Sequence, residues 1–175
     1  MNTKPIIIAL VGPSGSGKTT LSLYLEEHCD IPAICSYTTR PMRIGEVNGR
    51  EHWFVGHGHP IPNEPLAYTF FGGHHYWAET SDVDRLKYCT YVIDEAGLSE
   101  LLNKWGDRYD ILSVYIERPD RSNIDTQRTN RDLQRPAFEA SRYDIVLYNN
   151  SDLRSFLKNA ITTIAKHIIY GNSQK

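Results

Sequence analysis

The chain is poor in the features that mark several large classes of protein. It has three cysteines, Cys29, Cys35 and Cys89, among 175 residues. An odd number without metal-ligand spacing supports neither a disulfide framework nor a zinc site, and fits small buried thiols in a reducing compartment. No apolar stretch approaches the roughly 20 residues that a membrane helix needs. The opening Met1-Asn2-Thr3-Lys4-Pro5 leads straight into an apolar run too short for a signal peptide, so a cytoplasmic location is expected. The formal net charge of −2 gives no global electrostatic case for binding nucleic acid or an anionic membrane. There is no internal repeat, linker or low-complexity segment. At 175 residues the chain suits one compact domain with a real core.

What is present is concentrated near the start. Gly12-Pro-Ser-Gly-Ser-Gly-Lys-Thr19 fits the G-x-x-x-x-G-K-[ST] pattern of a phosphate-binding loop. Glycines at 12, 15 and 17 let the backbone wrap tightly around an anion. The wrapped amides and the positive end of a following helix would both face it. Ser14, Ser16 and Thr20 complete the stretch; Lys18 would reach the β and γ phosphates and the Thr19 hydroxyl would hold Mg²⁺. The context agrees. Ile6 to Val11 is a short, β-branched apolar run suited to a strand buried on both faces, and Leu21, Leu23, Tyr24 and Leu25 open a helix.

Beyond the loop, the pattern predicts a short strand over 31–36 and a polar loop over 37–43. A turn at Asn48-Gly49 and a strand follow, then a Pro/Gly-rich loop over 56–65. A hairpin turning at Gly72-Gly73 is expected next, then a helix over 82–87 and a strand over 90–94. The remaining expectations are a helix over 95–105, strands over 110–116 and 145–148, and a last helix capped by Ser151. Its Leu153, Phe156, Leu157, Ala160, Ile161, Ile164, Ile168 and Ile169 form one apolar face. Strands alternating with helices predict an α/β, three-layer fold on a central parallel sheet. The antiparallel-looking pieces between 37 and 80 read as an insertion beside the sheet's ligand end. The single domain then divides into a core of 1–36 and 81–175, the insertion, and a short helical lid over about 118–140.

A loop holding one nucleotide does not make a kinase; a second anion must be brought in line with the first. Ser36, Arg40 and Arg43 suit an acceptor phosphate, because two guanidinium forks on one loop can each pair with phosphate oxygens. Arg128, Arg131 and Arg135 sit at helical spacing and could close over the phosphates. His57, His59, His74 and His75 match no standard metal site.

Ser36-Tyr-Thr-Thr-Arg40-Pro-Met-Arg43-Ile-Gly45-Glu46-Val-Asn-Gly49, with Trp53-Phe54-Val55, closely resembles the guanylate kinases, P-loop nucleoside monophosphate kinases whose motif runs S-x-T-T-R-x-x-R-x-G-E-x-x-G. Gly73-His-His-Tyr76, Ile93-Asp94-Glu-Ala-Gly97 and Tyr143-Asp144 through Asn149 resemble the family more weakly. The resemblance implies ATP-dependent phosphoryl transfer, most simply to GMP or dGMP. It implies that Ser36, Arg40, Arg43 and Tyr76 hold the acceptor phosphate, that Asp94 lies near Mg²⁺ or the acceptor, and that Asn149 approaches adenine. Several positions depart from the family. His52 replaces a tyrosine, and could donate to phosphate, more strongly as a cation. Ala67 and Ala78 stand where the family reads guanine with glutamate and serine or threonine. Glu64, Glu79 and Thr80 are candidate substitutes, Trp77 would fill space a nucleotide needs, and the lid is shortened. Two alternatives stay open: a kinase of another phosphorylated small molecule or base, and a non-catalytic binding module, which the intact Lys18 and Thr19 oppose.

Overall fold

The computed structural model describes residues 4–120, 132–133 and 135–171. Its first strand, β1 (Ile6–Val11), is the axis of the molecule. All six side chains are buried, and they alternate between two cores. Ile6, Ile8 and Leu10 pack with Leu21 and Leu25 of α1 (Lys18–Cys29) and with Phe156, Leu157, Ala160 and Ile164 of the C-terminal helix. Ile7, Ala9 and Val11 face the other way, toward Leu98 and Leu101 of α2 (Glu95–Trp105). A strand with two buried faces belongs inside a parallel sheet, and β1 has parallel neighbours on both sides. These are β6 (Tyr88–Val92) and β7 (Asp110–Glu117); β8 (Ile145–Tyr148) pairs with β7, giving the order β6-β1-β7-β8. Helices cover both faces, as the α/β pattern requires.

The insertion forms a second sheet, from β2 (Tyr37–Thr38), β3 (Trp53–Phe54), β4 (Ala67–Phe71) and β5 (His74–Ala78), in the order β3-β2-β5-β4. The β4–β5 hairpin turns through Gly72 and Gly73, whose φ values of 60° and 80° suit glycine. Ala67 and Ala78 are cross-strand partners, and both are buried in the α2-side core. The insertion is therefore fastened to the main body by its own hairpin.

Several local expectations need correction. Residues 31–36 make only a single bridge, Ala33 to Thr90, because the chain runs past the sheet edge between the Thr90 N–H to Pro32 C=O bond and the Ile34 N–H to Thr90 C=O bond. The helix expected over 82–87 is a 3-10 turn, Thr80–Asp82, closed by reciprocal bonds between Glu79 and Asp82. Asp152, not Ser151, caps the last helix, α3 (Leu153–Gly171), by accepting from the Ser155 N–H at 3.0 Å. Leu153 and Ile169, at the ends of the apolar stripe of α3, are exposed. Among the described residues, no helix is long and apolar enough to cross a membrane.

Candidate active site

The loop from Gly12 to Gly17 joins the C-terminal end of β1 to α1, as a phosphate loop should. Gly12, Gly15 and Gly17 all have positive φ, at 146°, 71° and 109°. At Gly12 a β-carbon would lie 2.4 Å from the Ile116 carbonyl oxygen, so side-chain-free backbone is required by packing as well as by angle. Two braces hold the loop from β7 and β8. Arg118 donates to the Gly15 carbonyl at 3.1 Å, and Asn149 Nδ2 donates to the Ser16 carbonyl at 2.8 Å. The expected approach of Asn149 to adenine thus begins from a side chain whose amino group is committed to the loop. Ser16 is fully buried, and its hydroxyl has no partner among the described residues.

Lys18 starts α1 and turns back over the loop, donating to the carbonyls of Gly12 at 2.7 Å and Pro13 at 2.8 Å. Burial, and then the nearby Arg135 cation, lower its pKa to about 8, against the opposing pull of Asp132 and Glu95. Thr19 and Thr20, in the first turn of α1, are exposed. Arg135 donates to Glu95 Oε1 at 2.6 Å, so this lid arginine reaches the side of the donor loop. Arg128 and Arg131 lie outside the described residues. Sequence reading missed both acids here. Glu95 follows Asp94 in a helix start, and Asp132 lies between two arginines, where it reads as ordinary lid charge.

The residues expected to hold an acceptor lie on β2, β5 and the loops beside them. Although the 37–43 loop is polar, Ser36, Thr38, Thr39 and Arg40 are all buried. The reason is visible in their partners. Thr39 Oγ1 accepts from the His75 N–H, Thr38 Oγ1 accepts from the Arg40 N–H, and Arg40 makes a two-pronged ion pair with Glu46 at 2.9 and 3.0 Å. The Arg40 guanidinium also lies 5.2 Å from the centre of the Phe54 ring. Glu46 accepts from the Arg43 N–H at 2.8 Å, while the Arg43 side chain is half-exposed. Burial pushes the Glu46 carboxyl up, but the bonds from Arg40 and Arg43 outweigh it and hold it below its ordinary range.

His52 joins the same cluster. Its Nδ1 shares a 2.8 Å hydrogen bond with Ser36 Oγ, and its ring meets that of Tyr76 edge-on at 5.7 Å. Burial, then the Arg40 cation, lower its pKa to about 4, so it is a neutral imidazole in the ligand-free protein and not the cation that would bind phosphate most strongly. Ser36, His52, Tyr76, Arg40 and Arg43 are thus brought together. Asp94 does not join this set directly: its Oδ1 caps α2 by accepting from Gly97 N–H at 2.7 Å, and it also accepts from Thr69 Oγ1 at 3.2 Å. It latches the insertion to the main body.

The positions expected to read a base are disposed differently from the expectation. Trp77 is packed within the insertion itself. It points to the face of the insertion opposite Tyr76, fully buried, stacked on Tyr37 at 5.5 Å and near His59 at 5.8 Å. Ala67 and Ala78 are in the core. Glu79 is used in the turn with Asp82. Glu64 is exposed in the preceding loop.

A family profile described as Guanylate kinase matches residues 2–164. The chain belongs to the guanylate kinase family. A guanylate kinase of Nitrobacter winogradskyi is 30% identical, across 87% of this chain and 82% of that protein. One from Lactobacillus acidophilus is 27% identical across 96% and 88%. Among solved structures, a guanylate kinase from Anaplasma phagocytophilum superposes with a TM-score of 0.67 across 99% of this chain and 88% of that one. Its 23% identity supports the shared fold alone. Membership in a family of nucleoside monophosphate kinases fits a chain that carries both a phosphate-loop pattern and a second cluster of arginines.

Proposed function

We propose that this chain transfers the γ-phosphoryl group of ATP to a nucleoside monophosphate, with GMP or dGMP as acceptor, in the cytoplasm. The observation that carries the reading is the pairing of two clusters: a glycine-cornered loop with Lys18 on one side, and Ser36, His52, Tyr76, Arg40 and Arg43 on the other. The named relatives support guanylate as acceptor.

In this reading the loop amides of 12–20 and Lys18 hold the ATP phosphates, and Lys18 exchanges its two loop carbonyls for phosphate oxygens. Asn149 keeps the loop in shape and offers its Oδ1 toward adenine. Arg40, held by Glu46, and the more exposed Arg43 orient the acceptor phosphate, with Ser36, His52 and Tyr76 around it. An acceptor oxygen attacks the γ-phosphorus in line, and ADP leaves. No covalent enzyme intermediate is required, so positioning and charge carry the rate. Arg135, with Arg128 and Arg131, would neutralise charge on the transferring group. Thr19, exposed in the first turn of α1, is a hydroxyl ligand suited to Mg²⁺, and Asp94 Oδ2, without a hydrogen bond among the described residues, is a second. When bound, Mg²⁺ supplies further neutralisation of the phosphate chain.

A coupled assay with ATP and each of GMP, dGMP, AMP, UMP and CMP tests the proposal. Turnover with a guanine nucleotide is expected, and absence of turnover with all five would sink it. One observation favours a second reading, in which the acceptor carries another base or only a sugar. Ala67 and Ala78 offer no polar group and are sealed in the core, so neither can pair with a polar base edge, and losing such pairs weakens discrimination. Faster turnover with AMP, a pyrimidine nucleotide or a ribose phosphate than with GMP would select it.

A further inference from the structure

The donor loop already holds an anion, and the chain itself supplies it. The Ser14 backbone N–H points at both carboxylate oxygens of Asp132, at 3.0 and 3.2 Å, and the Ser14 hydroxyl donates to Oδ1 at 3.2 Å. Ser14 lies between Gly12 and Gly15, whose positive φ values of 146° and 71° shape the loop around it. A carboxylate on such an amide receives the bonding that a phosphate oxygen would receive. Three residues on, Arg135 is held by Glu95, with both side chains largely buried. Lys18 is turned onto the carbonyls of Gly12 and Pro13 and feels the Asp132 charge. The groups that would meet a triphosphate are therefore satisfied from within the chain: the amide by Asp132, the lid arginine by Glu95, the lysine by the loop.

We infer that Asp132 is a built-in competitor for the donor phosphate: its carboxylate occupies the Ser14 amide that a phosphate oxygen of ATP takes, and ATP binds only as it leaves. The inference rests on the reading of the loop as the ATP site. Two anions cannot share one amide, because at contact distance their repulsion is poorly screened inside a protein. The observed ATP affinity is then the intrinsic affinity reduced by the fraction of molecules in which Asp132 has left. Ligand choice follows. A single inorganic phosphate gains little beyond what Asp132 already provides. A triphosphate adds contacts to Lys18 and the start of α1, and these drive the exchange. Asp132 thus lowers the apparent affinity for both by the same factor, which leaves a triphosphate bound and takes a lone phosphate out of the range in which it binds.

The test uses Asp132→Asn and Asp132→Ala in the full chain. Calorimetric titration with Mg²⁺ and the β,γ-imido analogue of ATP should give a dissociation constant about tenfold lower for Asp132→Ala than for the unaltered protein. Inorganic phosphate, silent with the unaltered protein at millimolar levels, should bind the variants measurably. In the ligand-free protein the Ser14 amide resonance should move in both variants, while the dispersion of the remaining spectrum reports an intact fold. Unchanged or weaker analogue binding in the variants would overturn the inference and leave the ATP reading standing. An unmoved Ser14 amide would also overturn it. Failure of all three proteins to take up the analogue would defeat the ATP reading, and this inference with it.

Discussion

The two clusters proposed to hold phosphate differ in construction. The donor loop grows out of β1, whose six residues are all buried, and its shape comes from three glycines, a closely packed Ile116 carbonyl and two side-chain braces. The acceptor cluster stands on loops beside two-residue strands, with Tyr76 on β5, and its shape comes from side chains bonding one another. Arg40 is fixed by Glu46, Ser36 by His52, and Thr39 by the backbone of β5. A backbone-built site tolerates loss of a side chain and keeps its form. A side-chain-built site loses form and function together.

The sharpest way to break that symmetry is Lys18→Ala. Among the described residues Lys18 bonds two loop carbonyls, so the fold should survive its loss. The rate should not: removal of a principal phosphate cation is expected to cut kcat/KM about a thousandfold, by analogy with lost transition-state donors. Steady-state kinetics beside a thermal melt would check both halves. An unfolded variant would mean that the loop depends on this side chain.

At the acceptor the matching change is Glu46→Ala. It strands Arg40, which is only 7% exposed, as a buried cation without its carboxylate. Breaking such a pair typically costs about 3 kcal/mol. Urea denaturation should show that loss together with a higher acceptor KM, while the KM for ATP changes little. Stability lost without any change in acceptor KM would separate the arginine's fold role from its binding role.

These two sites also differ in how far the residues alone disclose them. The donor loop was legible because its chemistry is local: glycine spacing, a β-branched strand before it and a helix after it all lie within 30 residues. The acceptor motif could be recognised, but its burial could not. Arg40 reads as loop charge until Glu46 and Phe54 fold around it. The surroundings of the positions expected to face a base were hidden for a related reason. Strand alternation puts Trp77 and Ala78 on opposite faces of β5, yet only the packing of the hairpin on α2 shows that Ala78 ends in the core. Asp132 and Glu95 were invisible, since each acts on a residue tens of positions away.

Titration offers a third, smaller contrast. Lys18 in the ligand-free protein has a pKa of about 8, so kcat/KM for ATP should fall above that pH, by about tenfold at pH 9. Stability moves the other way. The folded pKa lies below the ordinary 10.5, so the unfolded chain binds more protons between about 8 and 10.5, and Lys18 favours folding increasingly as pH rises through that window. His52 behaves likewise at lower pH. With a folded pKa of about 4 against 6.5, its contribution to stability is full above 6.5 and is lost as pH falls toward 4. Acid denaturation should accordingly shift to lower pH in His52→Phe, and an unshifted midpoint would mean that the ring is not desolvated.

The finest discrimination comes from Asn149→Ala. Asn149 supplies one hydrogen bond to the Ser16 carbonyl, and its Nδ2 lies where a β-carbon on Gly17 would come within 2.8 Å. Losing the bond should cost about 1 kcal/mol, since a single net hydrogen bond is worth that order. If the loop is held mainly by its backbone, the KM for ATP should rise only a few-fold, with kcat and acceptor KM unchanged. A larger rise confined to ATP would assign Asn149 to the nucleotide itself, through its Oδ1. A comparable loss with tripolyphosphate, which has no adenine, would return the effect to the brace. The ratio of the two losses therefore measures how much of the donor site is backbone and how much is side chain, the property on which it differs from the acceptor cluster.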